Sequence, residues 1–199
     1  MTPERPITAL IAVDVQTGFK PGGSLPVPDG NAVVPVLTAV MPQADYIILS
    51  RDYHPNDHMS FVRNGGIWPA HCVQGTADAD IDDHLLAAAG AGHTIISKGT
   101  DSAVEAYSAF DGTDHDGFKL VELLRNSNVS KVIVGGLATD YCVKATVLDA
   151  LKDGFETLVL TDGVRAVDVE PGDGQRALEE MQAAGARLIS SRELAGVLA

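Results

Sequence analysis

The sequence predicts an α/β fold: an open, doubly wound, mostly parallel six-stranded sheet with helices on both faces. Three observations predict it. Six short apolar runs rich in Val and Ile recur along the 199 residues. Most are separated by stretches with helical patterning, and strand–helix alternation is the signature of a parallel sheet covered on both sides. The runs are nearly continuous in hydrophobicity rather than alternating, as strands buried on both faces require.

In chain order the strands are expected at residues 7–15, 46–50, 94–97, 131–135, 157–161 and 187–190. The helices between them are expected at 31–41, 117–126, 140–152 and 172–184. The segment 51–76 breaks the alternation. It is too long and too rich in His, Asn, Pro and Gly for a minimal connection, and long loops in compact domains are often functional, so it is read as a binding loop. No internal repeat, low-complexity tract or composition shift divides the chain, and one domain is expected over residues 1–199.

Composition narrows the partners. With 27 acidic against 14 basic residues, the net charge is −13. Nucleic acid and anionic membrane surfaces are bound through Lys/Arg patches, so both are disfavoured and a small-molecule partner is expected. The longest apolar runs, such as 9–13, fall far short of the ~20 residues that span a bilayer. There are two cysteines, Cys72 and Cys142, and the start MTPERPITALIAVDV lacks an export signal, which places the protein in the cytoplasm. Exposed helix faces leave room for a homodimer, which no interface motif decides.

In an open parallel sheet, ligands bind beyond the carboxyl ends of the strands, where the strand order reverses. Asp14 ends the first strand, Asp52 and His54 follow the second, Lys98 follows the third, and Cys142 lies in the turn and helix start after the fourth. Each residue alone has an ordinary explanation. A lone cysteine is usually a small buried hydrophobe, Asp14 would serve as a cap or turn residue, and Lys98 as a solvated loop lysine. Together they supply a nucleophile, a base and a cation, which is what amide cleavage needs. Before Cys142, the run from Gly135 to Asp140 reads as a tight turn with Thr139 or Asp140 as N-cap, so that the helix dipole would favour the thiolate. Cys72 has no such setting and is read as structural.

Three of the six histidines, His54, His58 and His71, lie in the long loop. Solvated loop histidines are common. Yet Asp52 and His54 sit two apart on an extended segment and point the same way, and His71 on a returning loop would complete a carboxylate-plus-two-imidazole face. Such a face suits one divalent ion: zinc first, with iron or manganese as alternatives. His58 is open between a fourth ligand and an outer-shell partner, and Ser60 is a candidate to hold a metal-bound water.

With these residues in place, the sequence resembles the nicotinamidase branch of the isochorismatase-like cysteine hydrolases over almost its full length. Five blocks make the resemblance: Ala12-Val13-Asp14-Val15-Gln16 with Phe19 and Gly22-Gly23-Ser24-Leu25; Arg51-Asp52-Tyr53-His54 with His58 and Ser60-Phe61; Trp68-Pro69-Ala70-His71-Cys72-Val73; Lys98-Gly99 with Tyr107-Ser108-Ala109-Phe110; and Gly136-Leu137-Ala138-Thr139-Asp140-Tyr141-Cys142-Val143. The resemblance implies a thioester mechanism, with Asp14 deprotonating Cys142 and ammonia leaving before water releases the acid. It also implies a cis peptide between Leu137 and Ala138, with the N–H groups of Ala138 and Cys142 as oxyanion hole. Asp52, His54 and His71 would bind the metal, and Phe19, Trp68, Tyr107 and Leu137 would contact nicotinamide. The role so implied is nicotinate production in NAD salvage. Another small-amide or carbamoyl hydrolase of the same family, or a catalytically silent binding protein on this fold, remains the alternative.

Overall fold

Hydrophobic runs separated by amphipathic segments give, in the computed structural model, a six-stranded sheet in the order β3-β2-β1-β4-β5-β6, with every neighbouring pair parallel. The structure describes residues 5–198; residues 1–4 of the expected leaderless start, and residue 199 at the end of the expected domain, lie outside that range. The strands are β1 (Thr8–Val13), β2 (Tyr46–Asp52), β3 (Thr94–Lys98), β4 (Lys131–Leu137), β5 (Glu156–Arg165) and β6 (Arg187–Ile189). The helices are α1 (Val33–Val40), α2 (Asp83–Ala89), α3 (Leu120–Asn126), α4 (Lys144–Lys152), α5 (Asp173–Ala183) and α6 (Leu194–Leu198).

Side chains that alternate along the strands feed two apolar layers. From β1, Ala9, Ile11 and Val13 enter one layer with Leu120 and Leu124 of α3, Val147 of α4 and Met181 of α5. Leu10 and Ala12 enter the other with Leu37 of α1, Leu85 of α2 and Leu194 of α6. Three helices therefore cover each face. Each fully buried Leu or Ile, such as Leu10 or Ile11, stabilises the sheet by about 1.5–3 kcal/mol. Among the described residues, no helix is long and apolar enough to cross a membrane.

The elements depart from the sequence reading where local chemistry interrupts the pattern. The helix expected over 31–41 keeps its α geometry only in α1. A 3-10 turn, Met41–Gln43, follows it, because Pro42 has no N–H with which to continue the ladder. The helix expected from 117 begins at Leu120, since Gly117 holds a left-handed turn with φ +88° and Lys119 caps the helix by donating its N–H to Glu122 at 2.9 Å. Helices α2 and α6 were not expected. At seven and five residues they are too short to display a period. Strand β5 runs four residues beyond its expected end, its pairing with β4 resuming after an irregularity between Val134 and Gly136.

Candidate active site

The sheet order reverses between β1 and β4, and the residues singled out at the strand ends gather there. Asp14 follows β1 in a left-handed conformation (φ 49°), its N–H donated to the Ser50 carbonyl at 3.2 Å and its Oδ1 accepting from Ser50 Oγ at 2.6 Å. On β4, a Cβ at Gly136 (φ +122°) would come within 2.1 Å of the Val13 carbonyl, so only glycine lets the two strand ends lie this close. Lys98 ends β3 and is 1% exposed. Its Nζ lies 2.5 Å from Asp52 Oδ1, 2.9 Å from Asp14 Oδ2 and 3.4 Å from Cys142 Sγ, and donates to the Ala106 carbonyl at 3.2 Å. Asp14 Oδ2 is ion-paired with that ammonium and has no other polar partner, and one Asp14 carboxylate oxygen lies within 4.8 Å of the Cys142 sulfur.

Cys142 sits not in the first turn of an α-helix but in a π-helical turn, Thr139–Val143, which runs into α4. Neither Thr139 nor Asp140 caps it. The position before the turn is Ala138, which offers no side-chain cap, while Thr139 is buried and the Asp140 carboxylate accepts N–H bonds from Val167 and Asp168. The peptide between Leu137 and Ala138 is cis. The resting thiolate expected from a helix dipole is also not what this setting favours. Burial pushes the Cys142 thiol well up, Lys98 pulls it down, and the Asp14 and Asp52 carboxylates raise it again. These effects together favour the protonated thiol. Burial likewise raises Asp14, against the Lys98 cation. Lys98 is driven down by burial but more strongly up by Asp14 and Asp52, so it stays an ammonium.

Asp52 serves three neighbours. While Oδ1 meets Lys98, Oδ2 faces His54 Nε2 at 3.6 Å and His71 Nε2 at 3.9 Å. Burial pushes its carboxyl up, but Lys98 and the imidazoles outweigh that and hold it well below the carboxylate range. The far nitrogens of both rings are fixed by carbonyls, His54 Nδ1 by Gly99 at 2.9 Å and His71 Nδ1 by Pro69 at 2.8 Å, so each Nε2 is left to point at the same spot. A buried carboxylate oxygen and two oriented imidazole nitrogens make a donor set that fits a divalent metal. Asp14, Asp52 and Cys142 also lie close together, but the Lys98 ammonium already stands among them, and a second cation there would be repelled. The His58 ring lies against that of His54 at 4.1 Å between centroids, but its nitrogens turn to other partners, Nδ1 to Ser60 Oγ at 2.7 Å and Nε2 to the Val104 carbonyl at 3.0 Å. Ser60 is engaged by the same contact.

Next to these groups opens a cavity with an empty volume of about 460 Å³ counting its solvent-open mouth. Phe19, Trp68, Tyr107 and Ala138 line it with Cys142. Trp68 donates its indole N–H to the Tyr107 hydroxyl at 3.1 Å, and its ring meets Tyr141 edge-on at 5.0 Å between centroids. Leu137 is not among the lining residues. It is 1% exposed and packed in the apolar layer with Phe19 and Val27, against Gly30. Tyr141 and Val167 line the cavity without having been anticipated. Tyr141 was legible from its place beside Cys142; nothing in the sequence marked Val167.

Comparison with known proteins agrees with this geometry. The Isochorismatase domain family matches residues 8–193. The chain is 39% identical over 203 residues to the nicotinamidase of Escherichia coli (strain K12), covering 92% of this chain and 94% of that one. It is also 39% identical over 189 residues to the nicotinamidase/pyrazinamidase of Mycobacterium tuberculosis, covering 92% and 98%. The crystal structure of pyrazinamidase of Pyrococcus horikoshii in complex with zinc superposes with a TM-score of 0.83 at 42% identity, covering 93% of this chain and 99% of that one. With the family matched over residues 8–193 and relatives this similar over nearly its whole length, the chain belongs to the isochorismatase family, in the branch that holds nicotinamidases and pyrazinamidases.

Proposed function

We propose that residues 1–199 form one hydrolase domain, a cytoplasmic nicotinamidase that converts nicotinamide, and pyrazinamide with it, to the carboxylic acid and ammonia. The observation that supports this most is the convergence of Lys98 on Asp14, Asp52 and Cys142, the last two lining the cavity with Phe19, Trp68 and Tyr107. In this reading Asp14 Oδ2 takes the thiol proton as sulfur attacks the carboxamide carbon, and the N–H groups of Ala138 and Cys142 receive the oxyanion. Asp14 then returns the proton to the departing nitrogen, and ammonia leaves a thioester on Cys142. Water attacks that thioester while Asp14 accepts its proton, the carbon–sulfur bond breaks, and the thiolate regains the proton. Lys98 keeps its charge throughout and balances whichever of Asp14 and sulfur is anionic. Asp52, His54 and His71 would hold one divalent ion, zinc first, which when bound supplies a Lewis acid for a ring nitrogen. The substrate is a neutral small molecule, and no nucleic acid or membrane surface enters the reading. Ammonia release from nicotinamide against a panel of aliphatic amides tests it: strong preference for nicotinamide is expected, and equal or better rates on the aliphatic amides contradict it.

Two further results are expected. The folded-state pKa of Asp14 is raised, chiefly by burial. Its stabilising contribution is therefore present below the unfolded pKa and lost as pH rises through the folded one. Asp14→Asn should melt at neutral pH no lower than wild type, yet lose on the order of 10²–10⁴ in turnover. A lowered melting temperature with activity kept would mark Asp14 as structural. Replacing His54 or His71 with Ala should reduce metal content and nicotinamide affinity together, whereas Cys142→Ala keeps both. Elemental analysis and titration calorimetry on the same preparations check this, and a His71→Ala protein with full metal and full affinity would contradict it.

A further inference from the structure

The nucleophile turn bears a buried carboxylate that the mechanism does not use. Asp140 is 8% exposed and lies two residues before Cys142. Its oxygens reach across to the segment after β5, Oδ1 accepting the Val167 N–H at 3.0 Å and Oδ2 the Asp168 N–H at 2.9 Å. That segment is held from its other side as well. Asp168, in a left-handed conformation (φ 54°), accepts the Gly174 N–H at 2.7 Å in the first turn of α5. A Cβ at Gly174 would come within 2.5 Å of Ala166 Cβ, so the segment packs closely on the first turn of α5 at that point. Between these ties Val167 lines the cavity that contains Cys142.

We propose that Asp140 is a positioning residue for substrate selection, its carboxylate fixing Val167 as the wall that limits the size of ring or acyl group able to reach Cys142. The aspartate is suited to this because both of its oxygens only accept. An asparagine in its place would turn an NH2 toward one of the two amide donors and lose that bond. The segment would then relax at the end nearest the cavity, and Val167 with it. This assignment rests on the proposed function only for the choice of amide substrate.

The test compares wild type with Asp140→Asn, Val167→Ala and the double variant in two assays. One is alkylation of Cys142 by iodoacetamide and by the bulkier iodoacetanilide, with Cys142→Ala as blank; it needs no turnover and so reads the wall even if nicotinamide is not the substrate. The other is kcat/KM for nicotinamide and a ring-methylated nicotinamide. The bulky-to-small ratio should rise about tenfold in each single variant, the scale of one methyl group in an apolar pocket. If Asp140 acts through Val167, the double variant should show no more than the Val167→Ala shift. A folded Asp140→Asn protein with the wild-type ratio in both assays overturns the proposal, as does a double variant whose shift is the product of the two singles. Val167→Ala leaves the carboxylate bonds intact, so an unchanged ratio there overturns the proposal even if Asp140→Asn does not fold. If the alkylation ratio shifts while ring-methylated nicotinamide gains nothing, the wall stands and the amide chosen is wrong.

Discussion

Cys142→Ala is expected to lower turnover by on the order of 10⁴-fold or more while the fold persists, because the sulfur that forms the acyl bond is removed. The remaining cysteine cannot substitute. Cys72 is fully buried, is not among the residues lining the cavity, and is pushed well up in pKa by burial and by the surrounding carboxylates. Removing the Cys142 sulfur takes one small side chain from a partly open site, so melting temperature should change little. Turnover and thermal melting on one preparation check both halves. An active Cys142→Ala protein would end the assignment.

Lys98→Met should cost both activity and stability. The ammonium is buried between Asp14 and Asp52, and without it two desolvated carboxylates face each other with no cation on that side. Breaking a buried pair by removing one partner typically costs about 3–5 kcal/mol. The two carboxyls would then have folded pKa values above their unfolded ones, so the lost stability should return as pH falls and the carboxyls protonate. Turnover should drop by roughly 10²–10⁴-fold at all pH values, since acid protonates the base that the reaction needs. Melting curves across pH separate this from a simple packing defect. A Lys98→Met protein as stable and as active as wild type at neutral pH would contradict the account.

Asp14, Asp52, Lys98 and Cys142 were legible because a parallel sheet sends its strand ends to one edge, so chain position alone predicted their meeting. His54 and His71 followed from spacing on extended segments. What the sequence left open depended on contacts between distant segments. Nothing local distinguishes His58 from a ligand; only the fold reveals that Ser60 and Val104 take both its nitrogens. Leu137 was expected to line the cavity and Val167 was not, because how deeply Leu137 is packed and where the chain runs after β5 are set by contacts between distant segments. The thiolate expected at Cys142 failed for a similar reason. A helix start can be read from a turn motif, but burial beside two carboxylates cannot. The short α2 and α6 give too few turns for a periodic signal.

The central claim is that Cys142 becomes acylated during nicotinamide hydrolysis, and acid quench of the working enzyme followed by peptide mass measurement tests it most directly. The account predicts a nicotinoyl adduct on the peptide containing Cys142, absent without substrate and absent in Cys142→Ala. An adduct on the peptide containing Cys72, with Cys142→Ala still turning over, would contradict it.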